Sequence, residues 1–303
     1  MALGKLENKA RAATAGQDQG LEAKPKGLRI GMLTAPFGDK ALVDVLDFAQ
    51  KAGITCLEVV ADPGSKHIDP ATFDPAKADS VKQALAARKL EISGLACFGD
   101  ACRPGGAEAF QNHARKMVDT AVSLGVPTLC MQTGMPLPNM TKINQIRKVV
   151  PKVYAPIIAY AKDKGIKIAI ENWFETCLQG IDTFECLLET IKDDNFGLNY
   201  DPSHLIHQEC NHLLPIRLFG NRIFHTHAKD TLIDAETRAH VGIYGRGWWR
   251  YVIPGSGAIQ WGEYINHLRM GGYNGVLSIE HEDSAVSREQ GFILAARHLA
   301  TFC

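Results

Sequence analysis

The chain contains the stretch Ile166-Lys167-Ile168-Ala169-Ile170-Glu171, a short apolar run that ends in a carboxylate. Three later runs also end in an acidic or imidazole side chain. They are Phe196-Gly197-Leu198-Asn199-Tyr200-Asp201, Arg222-Ile223-Phe224-His225-Thr226-His227 and Val276-Leu277-Ser278-Ile279-Glu280. Runs of this length and composition predict β-strands. Because the C-terminal strand ends of a (β/α)₈ barrel face one cavity, the four polar ends predict a shared site around one metal ion.

The rest of the chain fits the same architecture. From Leu28 onward, strand-like runs alternate with segments of helical length, which is typical of repeated βα units and a parallel sheet. Eight strands are predicted, near Leu28-Met32, Cys56-Val60, Glu91-Leu95, Thr128-Gln132, Lys167-Glu171, Gly197-Asp201, Ile223-His227 and Val276-Glu280. Gly53, Gly125 and Gly165 are predicted to end the helices that precede three of them. The prediction is a single-domain α/β fold, a (β/α)₈ TIM barrel over residues 28–303 with a flexible N-terminal arm over residues 1–27.

Composition supports one large domain and excludes some partners. The chain has 303 residues, of which 46% are hydrophobic, and this is enough for a single extensive core. The formal net charge is zero, so the overall charge gives no reason to expect a nucleic-acid partner. The eight cysteines are scattered without a CxxC pair, which favours a reducing compartment and predicts a cytoplasmic location.

The N-terminal residues 1–27 are rich in Ala, Lys, Gln and Gly and lack an apolar stretch of signal-peptide type. We expect an arm that escapes the fold, and the alternative is an arm that docks on a neighbouring subunit. Elsewhere the sequence has no uncharged apolar stretch of about 18 residues, so no membrane contact is expected. An oligomer of like or unlike chains is compatible with such an arm.

The interval between the last two predicted strands, residues 230–262, is unusual. It includes Tyr244-Gly245-Arg246-Gly247-Trp248-Trp249-Arg250-Tyr251, which is too aromatic and too rich in glycine for an ordinary connecting helix. A long loop at a barrel mouth is more often a binding element than a simple connection. We expect a lid in which Arg246 meets substrate oxygens and Trp248 stacks on a sugar face. The alternative is an aromatic cluster that packs on the barrel rim or on another subunit.

The four strand-end residues have the chemistry of a ligand set for a hard cation. Glu171, Asp201, His227 and Glu280 provide three carboxylates and one imidazole, without a thiolate. Such a set suits Mn²⁺ or Mg²⁺ and tolerates Co²⁺ or Zn²⁺. Any one of these side chains alone would more often be an ion-pair or helix-cap partner. Their joint position favours a metal site, and Mn²⁺ is the expected ion.

Several short motifs, in this order, resemble the sugar phosphate isomerase/epimerase family, which has the xylose isomerase-like barrel of the AP endonuclease family 2 superfamily. The motifs are Ile168-Ala169-Ile170-Glu171-Asn172, Asn199-Tyr200-Asp201-Pro202-Ser203-His204, His225-Thr226-His227-Ala228-Lys229-Asp230, Pro254-Gly255-Ser256-Gly257 with Trp261, and Leu277-Ser278-Ile279-Glu280. The resemblance covers about residues 28–300 and implies that Glu171, Asp201, His227 and Glu280 bind a divalent cation. It also implies that Glu171 and Glu280 form the acid/base pair.

Three further residues near these motifs are candidates for substrate contact. The resemblance places His204 where relatives meet substrate oxygens, which makes it a catalytic and substrate-binding candidate, and the alternative is a helix cap. His225 shares a strand face with His227 because side chains alternate, and it is either a substrate contact or a buried, hydrogen-bonded imidazole. Trp173 either stacks beneath a sugar ring or packs in the core. Lys229 and Asp230 are expected to form a structural ion pair.

These features predict a metal-dependent epimerase or isomerase that acts on a sugar or keto-sugar through an enediolate, with carboxylates transferring the proton. The close alternative is a lyase on the same scaffold, either a dehydratase or an enzyme that cleaves keto-glycosides or C-glycosides. A non-catalytic sugar-binding subunit is a third candidate.

Two other functions are disfavoured. DNA repair of the endonuclease IV type needs histidine ligands at earlier strand ends, which read Val60-Ala61-Asp62 and Cys97-Phe98-Gly99 instead. The loop Pro254-Gly255-Ser256-Gly257 lacks the preceding strand and the Lys-Ser/Thr ending of a phosphate-binding loop, so nucleotide binding is not expected. The expected partner is therefore a small sugar, keto-sugar or glycoside.

Overall fold

The computed structural model describes residues 27–303, and eight parallel strands of this part close into a barrel. The barrel strands are β1 (Arg29–Leu33), β2 (Cys56–Val60), β3 (Glu91–Ala96), β4 (Thr128–Gln132), β5 (Lys167–Glu171), β6 (Phe196–Tyr200), β7 (Ile223–Ala228) and β10 (Val276–Ile279). Two further strands, β8 (Asp230–Ile233) and β9 (Trp249–Val252), form a separate antiparallel pair. Around the barrel, strands that follow one another in the chain are neighbours, and β10 closes the ring against β1.

Helices lie between the strands, and most of those between barrel strands bury an apolar face. They are α1 (Leu42–Lys51), α2 (Pro75–Arg88), α3 (Ala107–Leu124), α4 (Lys142–Lys148), α5 (Val150–Lys162), α6 (Ile181–Thr190), α7 (Ser203–Ile206), α8 (Leu214–Phe219), α9 (Ala235–Val241), α10 (Trp261–Met270) and α11 (Arg288–Ala300). In α3, the buried residues Phe110, Ala114, Met117 and Ala121 recur at spacings of three and four, the period of one helix face. The predicted (β/α)₈ barrel is confirmed.

Glycines end the helices at the predicted places. Gly53, Gly125 and Gly165 have φ angles of 73°, 73° and 72°, which lie in the left-handed region that side chains other than glycine rarely adopt. Each therefore reverses the chain after a helix and leads it into the next strand.

The predicted strand ends are correct to within one residue. The strands β6 and β10 end at Tyr200 and Ile279, so Asp201 and Glu280 lie one position beyond them. The backbone amide of Asp201 donates to the Asn172 side chain at 2.9 Å instead of to a neighbouring strand, which explains why β6 stops there. Both carboxylates still lie at the C-terminal mouth of the barrel.

The segment between β7 and β10 contains more regular structure than the sequence predicted. The strands β8 and β9 pair with each other, from Asp230 opposite Val252 to Ile233 opposite Trp249. Between them, the helix α9 begins where Asp234 accepts a hydrogen bond from the Thr237 amide at 2.9 Å, an ordinary N-cap. We refer to residues 230–252 as the insertion.

The predicted N-terminal arm lies, apart from Gly27, outside the described residues. Its boundary with the barrel therefore stays a prediction. Within residues 27–303, no helix combines the length and the apolar character that crossing a membrane requires.

Candidate metal centre and active site

The four predicted metal ligands converge at the barrel mouth. Glu171 ends β5, Asp201 follows β6, His227 lies near the end of β7 and Glu280 follows β10. Each offers a ligand-type atom that lies within 4.8 Å of the corresponding atoms of the other three. His227 Nδ1 lies 3.1 Å from both Glu171 Oε1 and Glu280 Oε2, and 3.9 Å from Asp201 Oδ2. The barrel thus brings together residues that are far apart in the sequence.

Two oxygen atoms of this group point to a missing partner. Asp201 Oδ2 and Glu280 Oε2 are buried and have no hydrogen-bond partner among the described residues. Both lie within ion-pair distance of Lys229 Nζ, at 3.3 and 2.8 Å, but neither contact has hydrogen-bond geometry. Unpaired lone pairs on buried carboxylates are costly. The residues present therefore fit a divalent cation, which prefers such oxygen ligands.

Two carboxylates of this group, those of Glu171 and Glu280, are held in the ionised form. Burial alone would raise the pKa of Glu171, but the charge of His227, its hydrogen bond to Glu171 Oε1 and the neighbouring His204 imidazole hold that pKa well below its ordinary value. Burial also opposes ionisation of Glu280, whereas the charges of Lys229 and His227 lower its pKa to about 2. The centre is thus a buried concentration of negative charge that attracts a cation.

The expected Lys229–Asp230 ion pair is wrong. The Lys229 ammonium group faces the metal centre, 2.8 Å from Glu280 Oε2. Asp230 points elsewhere and accepts hydrogen bonds from Trp261 Nε1 and from backbone amides at positions 255, 257 and 259. Successive side chains of an extended chain point to opposite faces, which separates the two residues. The amides of Gly255 and Gly257 thus donate to an internal carboxylate.

Polar neighbours that sequence analysis missed orient the ligands. Gln132, the last residue of β4, donates to Glu171 Oε2 at 2.8 Å. The Asn172 side chain donates to the Asp201 carbonyl at 2.7 Å and accepts from the Asp201 amide at 2.9 Å. A signal for both was available, because Gln132 stands at a C-terminal strand end like the ligands and Asn172 directly follows one of them.

His204 lies beside the four ligands and is paired with Tyr251 of the insertion. Its Nε2 atom lies 3.4 Å from Asp201 Oδ2 and 3.4 Å from Lys229 Nζ. On the other side of the ring, Nδ1 lies 2.6 Å from the Tyr251 hydroxyl. The helix α7 has no side-chain cap, so the alternative role of His204 as a helix cap is not observed. The imidazole is instead aimed at the centre by Tyr251.

An aromatic cluster of Phe174, His207, Trp249 and Tyr251 lies next to His204. The His207 and Trp249 rings stack with centroids 3.9 Å apart and planes 6° apart. Phe174 meets both rings edge-on, and the half-buried Trp173 meets Phe174 edge-on in turn. Aromatic packing at the rim, one of the two expected roles of the insertion, is thus present. A stacking role of Trp173 on a sugar stays a prediction.

Arg246 and Trp248 lie elsewhere in the insertion. Arg246 is exposed and makes no hydrogen bond or ion pair within residues 27–303. Trp248 is only 4% exposed, and its ring lies 5.7 Å from the Arg238 guanidinium carbon. Because side chains alternate along this segment, Trp249 and Tyr251 face His204 and the aromatic cluster while Trp248 does not. The substrate-binding roles of Arg246 and Trp248 stay predictions, and this geometry does not favour them.

His225 lies deeper in the barrel than His227. Its Nε2 atom lies 3.0 Å from Ser93 Oγ and its Nδ1 atom 3.1 Å from Asn199 Oδ1. Burial lowers the pKa of His225 to about 4, so the ring is neutral at pH 7. The residue borders a hollow of about 460 Å³ at the opposite, N-terminal end of the barrel. Substrate contact by His225 stays a prediction, and its geometry is that of the alternative, a buried and hydrogen-bonded imidazole.

The neutral, stacked His207 leads to a prediction about acid stability. Burial, followed by the charges of His204 and Lys229, lowers the pKa of His207 to about 4 from 6.5. Between pH 6.5 and pH 4, the unfolded chain therefore binds the proton more readily than the folded protein, and stability falls as the pH falls. His207→Phe keeps a ring to stack on Trp249 and removes this titration.

We expect the free energy of unfolding of the wild type, relative to His207→Phe, to fall by up to about 2 kcal/mol between pH 7 and pH 5, from the conversion of 1.4 kcal/mol per pKa unit. Urea unfolding at the two pH values measures the difference. His240→Phe, at an exposed histidine, is the matched control and should follow the wild type. A parallel pH dependence of wild type and His207→Phe would contradict the prediction.

A family model of known proteins matches most of this chain. The family model of the xylose isomerase-like TIM barrel matches residues 46–302. The chain therefore belongs to the xylose isomerase-like TIM barrel family. The resemblance drawn from the short motifs is confirmed.

Individual relatives include proteins with named activities. The protein YfiH of Bacillus subtilis (strain 168), described as uncharacterized, is 28% identical over 300 residues, which cover 87% of this chain and 96% of the relative. An inosose isomerase of Halalkalibacterium halodurans is 25% identical over 79% of this chain and 82% of its own length. An inosose dehydratase of Geobacillus thermodenitrificans is 26% identical over 149 residues, which cover 45% of this chain and about half, 48%, of the dehydratase.

Solved structures share the fold. The IolI protein, described with a binding zinc atom, superposes with a TM-score of 0.72 at 19% identity and covers 91% of this chain and 99% of its own. A xylose isomerase-like TIM barrel protein from Mycobacterium smegmatis, in complex with magnesium, has a TM-score of 0.72 at 15% identity and covers 93% and 98% of the two chains. Barrels of this shape thus occur with different divalent cations.

Proposed function

We propose that this chain is a divalent-metal-dependent epimerase or isomerase that removes and returns a proton next to the carbonyl group of a sugar or keto-sugar. The observation that carries the proposal is the buried convergence of Glu171, Asp201, His227 and Glu280, with two carboxylate oxygens that have no hydrogen-bond partner. The relationship to an inosose isomerase supports it. Mn²⁺ is the proposed ion because the ligand set is dominated by oxygen.

The four ligands would hold the cation, which would act as a Lewis acid on the substrate carbonyl and make the neighbouring proton more acidic. Glu171 and Glu280 are ionised, and each lies 3.1 Å from His227 Nδ1, so both carboxylates are available to transfer a proton at this centre. With a pKa of about 2, Glu280 is a weak base, and it removes a proton only from a carbon acidified by an adjacent polarised carbonyl. Return of the proton to the opposite face of the same carbon gives an epimer, and return to the neighbouring carbon gives an isomer.

Other residues of the site would position the substrate. The Lys229 ammonium and the His204 imidazole present polar atoms to the same space as the ligands. Both side chains are almost fully buried, as are the ligands, so the reacting carbon is shielded from water. A small sugar, keto-sugar or glycoside is the proposed partner, and no nucleic acid or membrane is needed.

A lyase is the second candidate, and one observation favours it. Elimination from the same enolate requires a proton for the departing oxygen, and His204 is placed to give one. Its Nε2 atom faces the metal centre while its Nδ1 atom is tied to the Tyr251 hydroxyl at 2.6 Å. The inosose dehydratase relative supports this candidate as well.

The test is NMR of ketoses, 3-keto-glycosides and inososes incubated in D₂O with the Mn²⁺-loaded protein, with the paramagnetic metal removed before acquisition. We expect deuterium to appear beside the carbonyl carbon of at least one compound. An epimer or isomer as product identifies the first candidate, and release of water or an aglycone identifies the lyase.

The control is the same protein after chelator treatment, which should lose the exchange and regain it with Mn²⁺. Repletion with Mg²⁺, Co²⁺ and Zn²⁺ in parallel identifies the preferred ion. Exchange that survives removal of the metal would contradict the proposal, and stoichiometric sugar binding without exchange would favour the sugar-binding subunit.

A further inference from the structure

Glu58 is a buried carboxylate that lies beneath the metal centre and that sequence analysis did not single out. It is the only charged residue of β2 and occurs in the middle of an apolar strand. Its side chain points into the barrel and is 0% exposed. A buried carboxylate is expensive unless hydrogen bonds compensate for its lost hydration, so its contacts indicate what it does.

Both oxygen atoms of Glu58 have donors. Oε2 accepts a hydrogen bond from Ser278 Oγ at 2.8 Å, and Nε2 of His227 lies 3.0 Å from the same oxygen. Oε1 accepts from Asn199 Nδ2 at 3.3 Å. An ionised carboxylate only accepts hydrogen bonds, so the His227–Glu58 contact requires a hydrogen on Nε2.

Asn199 offers a competing hydrogen-bond pattern. Its Nδ2 atom lies 3.1 Å from His227 Nε2 and would donate to that nitrogen if the ring hydrogen were elsewhere. In that arrangement, a bare ring nitrogen would face the Glu58 carboxylate at 3.0 Å, lone pair against negative charge. A charge-assisted hydrogen bond is about twice as strong as a neutral one, so the contact with Glu58 prevails. The Asn199 NH₂ group then donates to Glu58 Oε1, and Asn199 Oδ1 accepts a hydrogen bond from His225 Nδ1.

The opposite ring nitrogen of His227 is the one that faces the predicted metal ligands. Nδ1 lies 3.1 Å from Glu171 Oε1 and 3.1 Å from Glu280 Oε2. Without a cation, Nδ1 also carries a hydrogen, which points to Glu171 Oε1. A cation would take the place of that hydrogen, and because Glu58 holds the other ring hydrogen on Nε2, Nδ1 is the nitrogen left to bind the cation. Metal-binding histidines usually donate their second ring N–H to a carboxylate or carbonyl in this way.

We infer that Glu58 is a positioning residue of the metal centre: it holds the ring hydrogen of His227 on Nε2 and thereby directs the Nδ1 lone pair at the cation. The inference rests on the metal site of the proposed function. It adds a residue from a strand on the far side of the barrel, which the motif resemblance does not include.

The structure argues against a second, deeper metal site that includes Glu58. Ligand-type atoms of Glu58, Cys130 and His225 also lie within 4.8 Å of one another. However, burial and the charge of Glu58 raise the pKa of the Cys130 thiol well above its ordinary value, so it is not a thiolate. His225 already has Ser93 and Asn199 as partners. Glu58 therefore belongs to the upper centre.

The test is the affinity of Glu58→Gln for Mn²⁺, measured by titration of the metal-free protein and EPR detection of free ion. The substitution keeps the size of the side chain and removes its charge. We expect the dissociation constant to rise 10- to 100-fold, the usual effect of losing such a partner. Glu91→Gln is the matched control, because Glu91 lies on the adjacent strand β3 with half of its side chain exposed, and it should bind Mn²⁺ like the wild type.

A second measurement determines which ring nitrogen of His227 carries the hydrogen. In the Zn²⁺-loaded wild type, which is diamagnetic, the ¹⁵N spectrum should show His227 with a protonated Nε2 and a metal-bound Nδ1, and His227→Gln identifies the signals. Unchanged Mn²⁺ affinity in Glu58→Gln, with or without a lower melting temperature, would overturn the role of Glu58 alone, as would a bare Nε2 in the wild type. A wild type that binds no divalent ion would overturn the proposed metal enzyme together with it.

Discussion

Glu280→Gln is expected to slow the exchange of the substrate proton with solvent by about 10²- to 10⁴-fold, the range that a positioned general base contributes. Glutamine has nearly the same shape as glutamate and keeps one oxygen that can face a cation, but it cannot accept the proton. Glu280 Oε2 lies 3.1 Å from His227 Nδ1 and 2.8 Å from Lys229 Nζ, so the variant changes charge at the centre itself. The Mn²⁺ content should stay largely intact, because three ligands are unchanged.

Exchange is measured as deuterium incorporation in D₂O, and the metal content is measured on the same sample. Glu289→Gln provides the same chemical change at an exposed position in the first turn of α11, and its exchange rate should equal that of the wild type. If Glu280→Gln retains metal and exchanges at the wild-type rate, Glu280 is not the base. If both metal and exchange are lost, the loss reflects the ligand role instead, and Mn²⁺ titration of the variant separates the two.

Lys229→Met is expected to lower the free energy of unfolding of the metal-free protein by about 3–5 kcal/mol, the usual result of removing one partner of a buried ion pair. The ammonium group is almost completely buried and lies 2.8 Å from Glu280 Oε2, 3.0 Å from Glu282 Oε2 and 3.3 Å from Asp201 Oδ2. Methionine fills a similar space but leaves this negative charge without its nearest compensation. In the metal-saturated protein, the loss should be smaller, because the cation compensates the same carboxylates.

Urea unfolding of chelator-treated and metal-saturated samples measures both quantities. The control is Lys162→Met, which removes a lysine from an exposed pair with Asp194 and should cost less than about 1 kcal/mol. A loss below about 1 kcal/mol in metal-free Lys229→Met would show that the carboxylates relax or take up protons without this lysine. An equal loss with and without metal would show that the role of Lys229 is packing.

The fold was predictable because its signals are local. Each barrel strand is a short apolar run, and glycines such as Gly53 and Gly125 end the helices that precede two of them. The same reasoning located Glu171, Asp201, His227 and Glu280, because the C-terminal ends of barrel strands share one mouth. The error of one residue at β6 arose because the Asn172 side chain, rather than a strand, accepts the hydrogen bond of the Asp201 amide.

Contacts between side chains that are far apart in the sequence were not predictable in this way. Glu58 reads as one polar residue in an apolar strand, and its partners Asn199, His227 and Ser278 are all more than a hundred positions away. The sequence around Lys229 does not indicate which carboxylates its ammonium group contacts.

The insertion shows how sensitive such predictions are to register. Trp248 and Trp249 are adjacent, but only Trp249 joins the aromatic cluster, because a shift of one residue along an extended chain reverses the face of the side chain. The composition of the segment predicted aromatic side chains at the barrel rim, and an aromatic cluster is present there, whereas its role in binding stays a prediction. It carried no information on which tryptophan points inward.

The strands β8 and β9 pair with each other and not with the barrel, although they deliver Tyr251 to His204. The ligands come from the barrel strands, whereas the surface above them comes from a unit with its own hydrogen bonds. Under the proposed function, substitutions in this unit would change the range of accepted compounds and leave the predicted ligands in place. A change of substrate would then require changes in a segment of about twenty residues and none in the barrel itself.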